Sequence, residues 1–89
     1  MTDKLLKICL ALNSPIRLKI ISHLLHEDLN LHELYSKMKN EVKYRQYIHR
    51  HLEILAKAGI VKKYYSKKNR SIIKYHLTKE KIIIDLSKM

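Results

Sequence analysis

Only one glycine occurs in these 89 residues, and it closes a run whose two sides differ in character. The run is YRQYIHRHLEILAKAG, Tyr44 to Gly59. Wound at about 100° per residue, it gathers Arg45, Gln46, His49, Arg50 and Glu53 into an arc of about 140°. Tyr44, Tyr47, Ile48, Leu52, Leu55 and Ala58 fall on the other side. This pattern predicts one amphipathic helix of roughly four turns. Gly59 stands at the C′ position, where a helix end often needs a positive φ that glycine takes without steric cost. Beyond it the hydrophobic period changes to two. Ile60–Tyr65 and Ser71–Leu77 are rich in Ile, Val and Tyr, and SKKNR between them reads as a hairpin loop. In the second strand Ile73, Tyr75 and Leu77 would face inward, with Lys74 and His76 outward.

Three further helices are expected before this unit. Lys4–Leu12 carries Leu5, Ile8, Cys9 and Leu12 on one stripe and Leu6 and Leu10 on another, more apolar surface than one small core needs. In NSPIRLKIISHLLHE, Ser14 takes the N-cap and Pro15, the only proline, takes N1, where its missing N–H does no harm. Ile16, Ile20 and Leu24 follow at helical spacing, as do Leu18, Ile21 and Leu25. NLHELYSKM opens with Asn30 and has Glu33 three residues on, a variant of the capping box. Leu31, Leu34, Tyr35 and Met38 then share one face. Thr78 can cap a last helix, Lys79 to about Lys88, despite three consecutive isoleucines. The fold class is therefore mainly α with a small β-hairpin, in the order α-α-α-α-β-β-α. Residues 1–89 form one domain, and the third and fourth helices make a helix-turn-helix candidate.

The formal net charge is +11, and its placement matters more than its size. Lys43 to Lys74 holds ten basic residues and one acid, Glu53, whereas the flanking stretches 1–42 and 75–89 are each within one charge of neutral. A solvated surface would intersperse the signs, so the block implies a polyanionic partner: nucleic acid, or an acidic protein or membrane surface. Cys9 is the only cysteine. It excludes an intrachain disulfide, speaks against a thiolate metal centre and suits a reducing interior. An interchain disulfide remains open if two copies of Cys9 meet at a symmetry axis. Neither a membrane span nor a secretory signal is visible, so a cytoplasmic location is expected, nucleoid-associated in a cell or in the host cytoplasm for a virus.

Several chemistries find no support. His23 and His26 are i, i+3 neighbours with Glu27 adjacent, but no third ligand follows at a recognised spacing, and the helix dipole accounts for histidines at a helix end. No phosphate loop, nucleophile elbow or paired carboxylates occur, so no enzyme and no cofactor are expected. The polar arc instead offers long hydrogen-bonding side chains. Arg45 would donate to guanine O6 and N7, Gln46 would pair with adenine, and His49 and Arg50 lie one turn on. Glu53 would accept from cytosine N4 or pair with Lys57 at i+4. His51, on the apolar arc, reads as a hydrogen-bonded, partly buried histidine. Lys43, Lys62, Lys63, Lys67, Lys68, Arg70 and Lys74 would supply backbone contacts, with Arg70 placed to enter a minor groove.

LNSPIRLKIISHL, LHELYSKM and YIHRHLEILAKAGIVKKYYSKKNRSIIKYHLT together resemble the ArsR-type winged helix-turn-helix of bacterial and archaeal transcription regulators. Small winged-helix proteins of archaea and their viruses look similar too. The likeness spans about residues 10–78 and is most specific in RHLEILAKAGIV, the basic hairpin and YHLT. It implies a homodimer whose recognition helices enter successive major grooves while the wings lie against phosphates. The terminal helices, 3–12 and 79–88, would build the interface through Leu5, Leu6, Cys9, Leu10, Ile82, Ile83 and Leu86. The metal-sensing Cys-x-Cys of many members is replaced here by Asn30 and His32, and their C-terminal acid and histidine ligands are missing. Metal sensing is thus not implied, and no small-molecule effector can be inferred. The expected function is a sequence-specific double-stranded DNA-binding regulator, repressor-like. An architectural DNA-coating protein and a winged helix serving as a protein–protein module are the alternatives.

Overall fold

The computed structural model describes residues 2–78. Helix α1 (Thr2–Leu12) and helix α2 (Pro15–Leu24) are followed by a short strand β1 (Leu29–Asn30). Helices α3 (Leu31–Lys37) and α4 (Arg45–Lys57) come next, then strands β2 (Val61–Tyr65) and β3 (Ile73–Leu77). This is the expected mainly helical fold with a small hairpin. Strand β1 is an addition to the expected order. It pairs antiparallel with β3, Leu29 opposite Tyr75 and Asn30 opposite Lys74, making a three-stranded sheet in the order β1-β3-β2. The final helix expected at 79–88 lies outside the described residues, with Ile82, Ile83 and Leu86.

Local chemistry sets the helix ends. Ser14 accepts from the Arg17 N–H and Pro15 occupies the first turn of α2. Asn30 and Glu33 form a complete reciprocal capping box at the start of α3, each bond 2.8 Å long. Because Asn30 also ends β1, the helix-turn-helix is joined directly to the sheet. At the end of α4, Gly59 has φ 77°. Its N–H donates to Ala56, and the Ile60 N–H reaches back to Leu55. These two bonds are the Schellman pattern, and the apolar contact that accompanies it is supplied by Leu55 and Ile60, both fully buried. Thr78 donates its hydroxyl to the carbonyls of Gly59 and Ile60, so the end of the hairpin is fastened where it began.

One core joins all the elements. Ile8 and Ala11 of α1, Ile20 and Leu24 of α2, and Leu34 and Met38 around α3 meet Ile48, Leu52 and Leu55 of α4, with Tyr75 and Leu77 of β3 closing one side. Val42 fills the connection between α3 and α4, and the Tyr35 hydroxyl donates to the Lys43 carbonyl just before α4 starts. Leu18 and Leu25, the second apolar stripe of α2, stay exposed. Ile73 departs from the expected alternation. It is 39% exposed because it pairs with Tyr65 at the far end of the hairpin, where no core lies beneath the sheet.

Candidate nucleic-acid interface

Helix α4 divides as the winding required along most of its length: Ile48, Leu52 and Leu55 are buried, while Arg45, Gln46, His49 and Arg50 are exposed. Tyr44 and Tyr47 do not follow their arc. Both are exposed, because the core contacts α4 from its second turn onward and reaches neither ring. Helix α4 also begins differently from α2 and α3. Its N-cap is Tyr44, with no side-chain cap, and like α2 it has no acid in the first turn. The partial positive charge of that helix end therefore stays uncompensated on the surface that carries Arg45 and Gln46.

Glu53 is not paired with Lys57. It accepts from Lys63 of β2 at 3.0 Å and lies 3.6 Å from His49 Nε2. The hydrogen bond and charge of Glu53 push the Lys63 ammonium above its ordinary range. Two consequences follow. The one acid of the basic block is neutralised inside the block, and Lys63 is drawn from the set of free wing cations to tie the hairpin to α4.

On the opposite face of the sheet, Tyr64 and His76 hold Asp28 from the loop after α2. Asp28 accepts from the Tyr64 hydroxyl and lies 2.8 Å from His76 Nδ1. Burial would raise its carboxyl, but the bonds from Tyr64 and His76 and the charges of His76 and Lys74 outweigh it and hold it below the ordinary range. At the tip, Asn69 Oδ1 accepts from the backbone and hydroxyl of Ser71, and the Ser66 N–H closes the loop onto Ile72. Lys67 and Arg70 share a concave surface there with Tyr65 and Ser66. Lys43, Lys62 and Lys68 are exposed, and Lys43 lies over the Tyr44 ring.

Arg17, which no sequence pattern singles out, ties α1 and α2 to α4. Its guanidinium donates to the carbonyls of Leu10 and Ala11 at the end of α1 and reaches His51 Nδ1 of α4 at 3.1 Å. An arginine has only donors, so His51 must accept at Nδ1 and carry its proton on Nε2. Burial first, then the charges of Arg17 and Arg50, push His51 below the ordinary imidazole value of 6.5. The chain has four arginines against fifteen lysines, and a planar fork is what a multi-carbonyl clamp needs. His23 is lowered as well, by burial and then by Lys37 and Lys19, and its Nε2 is buried without a hydrogen-bond partner. His23 lies in the last turn of α2, where the helix-dipole reading places it, whereas His26 lies past the end of that helix. Among the described residues no group of three or more metal-ligating side chains occurs.

A pH dependence follows from these histidines. Each binds a proton less readily folded than unfolded, so the unfolded chain holds more protons near and below pH 6.5 and stability rises with pH there. Their contribution is complete above the ordinary imidazole value and is lost as pH falls through and below it. The unfolding midpoint is expected to drop as pH is lowered from about 7 to 5, and His51→Gln, which keeps an acceptor for Arg17, should flatten that drop. An unchanged pH profile in the variant would contradict the Arg17–His51 assignment.

No protein-family model matches the chain, and no curated protein matches it. Solved structures do. An ArsR-like transcriptional regulator from Rhodococcus sp. RHA1 superposes with a TM-score of 0.78 at 20% identity, over 98% of this chain and 76% of that one. HlyU from Vibrio cholerae N16961 gives 0.72 at 26% identity, over 96% and 88%. YusO from Bacillus subtilis gives 0.71 at 20% identity, covering 92% of this chain but only 57% of its own. The chain has the winged helix-turn-helix fold of such ArsR-like proteins, with α3–α4 as the helix-turn-helix and β2–β3 as the wing.

Proposed function

We propose that this protein is a sequence-specific double-stranded DNA-binding regulator that acts as a homodimer. The observation that carries this reading is the leading half of α4. There Arg45, Gln46, His49 and Arg50 stand exposed on a helix whose opposite face is locked into the core, with a basic hairpin directly behind it. Arg45 and Gln46 read base edges from the major groove, with His49 and Arg50 reaching bases or phosphates one turn on. Lys43, Lys62, Lys67, Lys68 and Arg70 hold the phosphate backbone. Lys74 adds to them, and Lys63 contributes less because Glu53 already engages it. Similarity to an ArsR-like transcriptional regulator supports the assignment to transcription.

The exposed Leu6 and Leu10 of α1, beside the half-buried Leu5 and Cys9, are the part of the proposed dimer surface within the described residues. Together with the segment 79–88 they would bring two copies of α4 to adjacent major grooves. Among the described residues no helix is long and apolar enough to cross a membrane.

The wing is tested by salt. Lys67→Ala with Lys68→Ala should weaken binding to every duplex alike and lower the slope of log K against log salt by about two, since each phosphate contact contributes about 0.9. An unchanged slope would remove the wing from the interface.

A further inference from the structure

Tyr44 and Tyr47 stand at the leading end of α4 and are 45% and 42% exposed, although both are large and largely apolar. Their rings meet edge to face, centroids 5.7 Å apart and planes at 63°. Each is braced by a cation: the Lys43 ammonium lies 5.4 Å from the Tyr44 centroid and the Arg50 guanidinium 5.9 Å from that of Tyr47. The pair is thus an ordered aromatic surface on the flank of the polar arc, next to Arg45 and Gln46.

A duplex offers such a surface little choice. The faces of its bases are stacked on one another and closed to an approaching ring. Its phosphates accept from cations and from a tyrosine hydroxyl, but they offer nothing to the apolar body of a ring. The major groove presents hydrogen-bonding edges and one apolar group, the C5 methyl of thymine. Burying that methyl against a ring already held in place gains hydrophobic contact with little loss of side-chain freedom.

We infer that the Tyr44–Tyr47 pair is a specificity element that reads the thymine methyl beside the base pairs contacted by Arg45 and Gln46. The inference rests on the DNA-binding reading above and deepens it.

Replacing thymine by deoxyuridine removes the methyl and leaves the pairing and the groove-edge hydrogen bonds intact. The probe is the duplex recovered by selection from a random pool, remade with deoxyuridine at one thymine at a time. One or two positions in each half-site should bind about fourfold more weakly, the equivalent of about 0.8 kcal/mol for one buried methyl-sized group. The variant carrying Tyr44→Ala and Tyr47→Ala should bind the thymine and deoxyuridine duplexes alike, while Tyr44→Phe with Tyr47→Phe should keep the difference. Wild-type binding indifferent to deoxyuridine at every position would overturn the inference whether or not the alanine variant folds, and would leave DNA binding standing. Equal deoxyuridine losses in a folded alanine variant would overturn it as well. Failure to retain any duplex would overturn the DNA-binding reading and this inference together.

Discussion

Leu52→Ala is expected to lower the unfolding midpoint by about 10 °C or more, whereas Leu18→Ala should move it by no more than a few degrees. Leu52 is fully buried at the centre of the face by which α4 meets the rest of the core. Truncating a buried leucine costs about 2–5 kcal/mol in lost transfer energy and residual cavity. A domain of this size holds roughly 4–13 kcal/mol in total, so the loss is a large share of it. Leu18 is 51% exposed, and its removal opens no cavity within the protomer. Thermal unfolding of the two variants, compared with the wild type, checks this. Equal shifts would mean that the second stripe of α2 is buried after all.

The same contrast shows what could be read from the chain and what could not. Local chemistry was legible. Ser14 with Pro15, Asn30 with Glu33, and Gly59 each satisfy backbone groups within a few residues, so the motif identifies the helix end by itself. The burial of Ile48, Leu52 and Leu55 was legible for a related reason, since helical period alone places them together. Non-local pairings were not. Strand β1 has two residues and no pattern of its own, and it exists because β3 returns to meet it. Arg17 and His51 are 34 residues apart, and nothing near either names the other. Glu53 chose Lys63 over Lys57 because the hairpin folds back across α4. The tyrosines show a different limit. A helical winding sorts residues by type, and Tyr44 and Tyr47 count as apolar. Which part of the apolar arc is covered depends on where the neighbouring helices end.

The largest expected effect on recognition belongs to the leading turn of α4. Arg45→Ala or Gln46→Ala should cut the preference for the selected duplex over scrambled DNA by about 5- to 150-fold, from about 1–3 kcal/mol for each base pairing lost. Affinity for scrambled DNA should change far less, because an uncharged duplex edge is not being read there and the wing contacts persist. The lysine pair at the wing tip should behave in the opposite way, weakening both duplexes together. This division of labour follows from position: α4 presents its polar arc from a rigid helix backed by the core, whereas the wing tip is an exposed loop held mainly by Asn69 and the Ser66–Ile72 bond. If the two sets of changes weakened cognate and random DNA equally, α4 would not be the reading element.

Selection from a random duplex pool at about 150 mM salt, near physiological ionic strength, decides whether α4 reads sequence. A two-fold symmetric consensus is expected, with half-sites about one helical turn apart and a preference of about a thousandfold or more over scrambled DNA. Duplexes retained without any consensus, bound as tightly as scrambled DNA, would contradict sequence reading by α4 and leave a basic protein that coats DNA through charge alone.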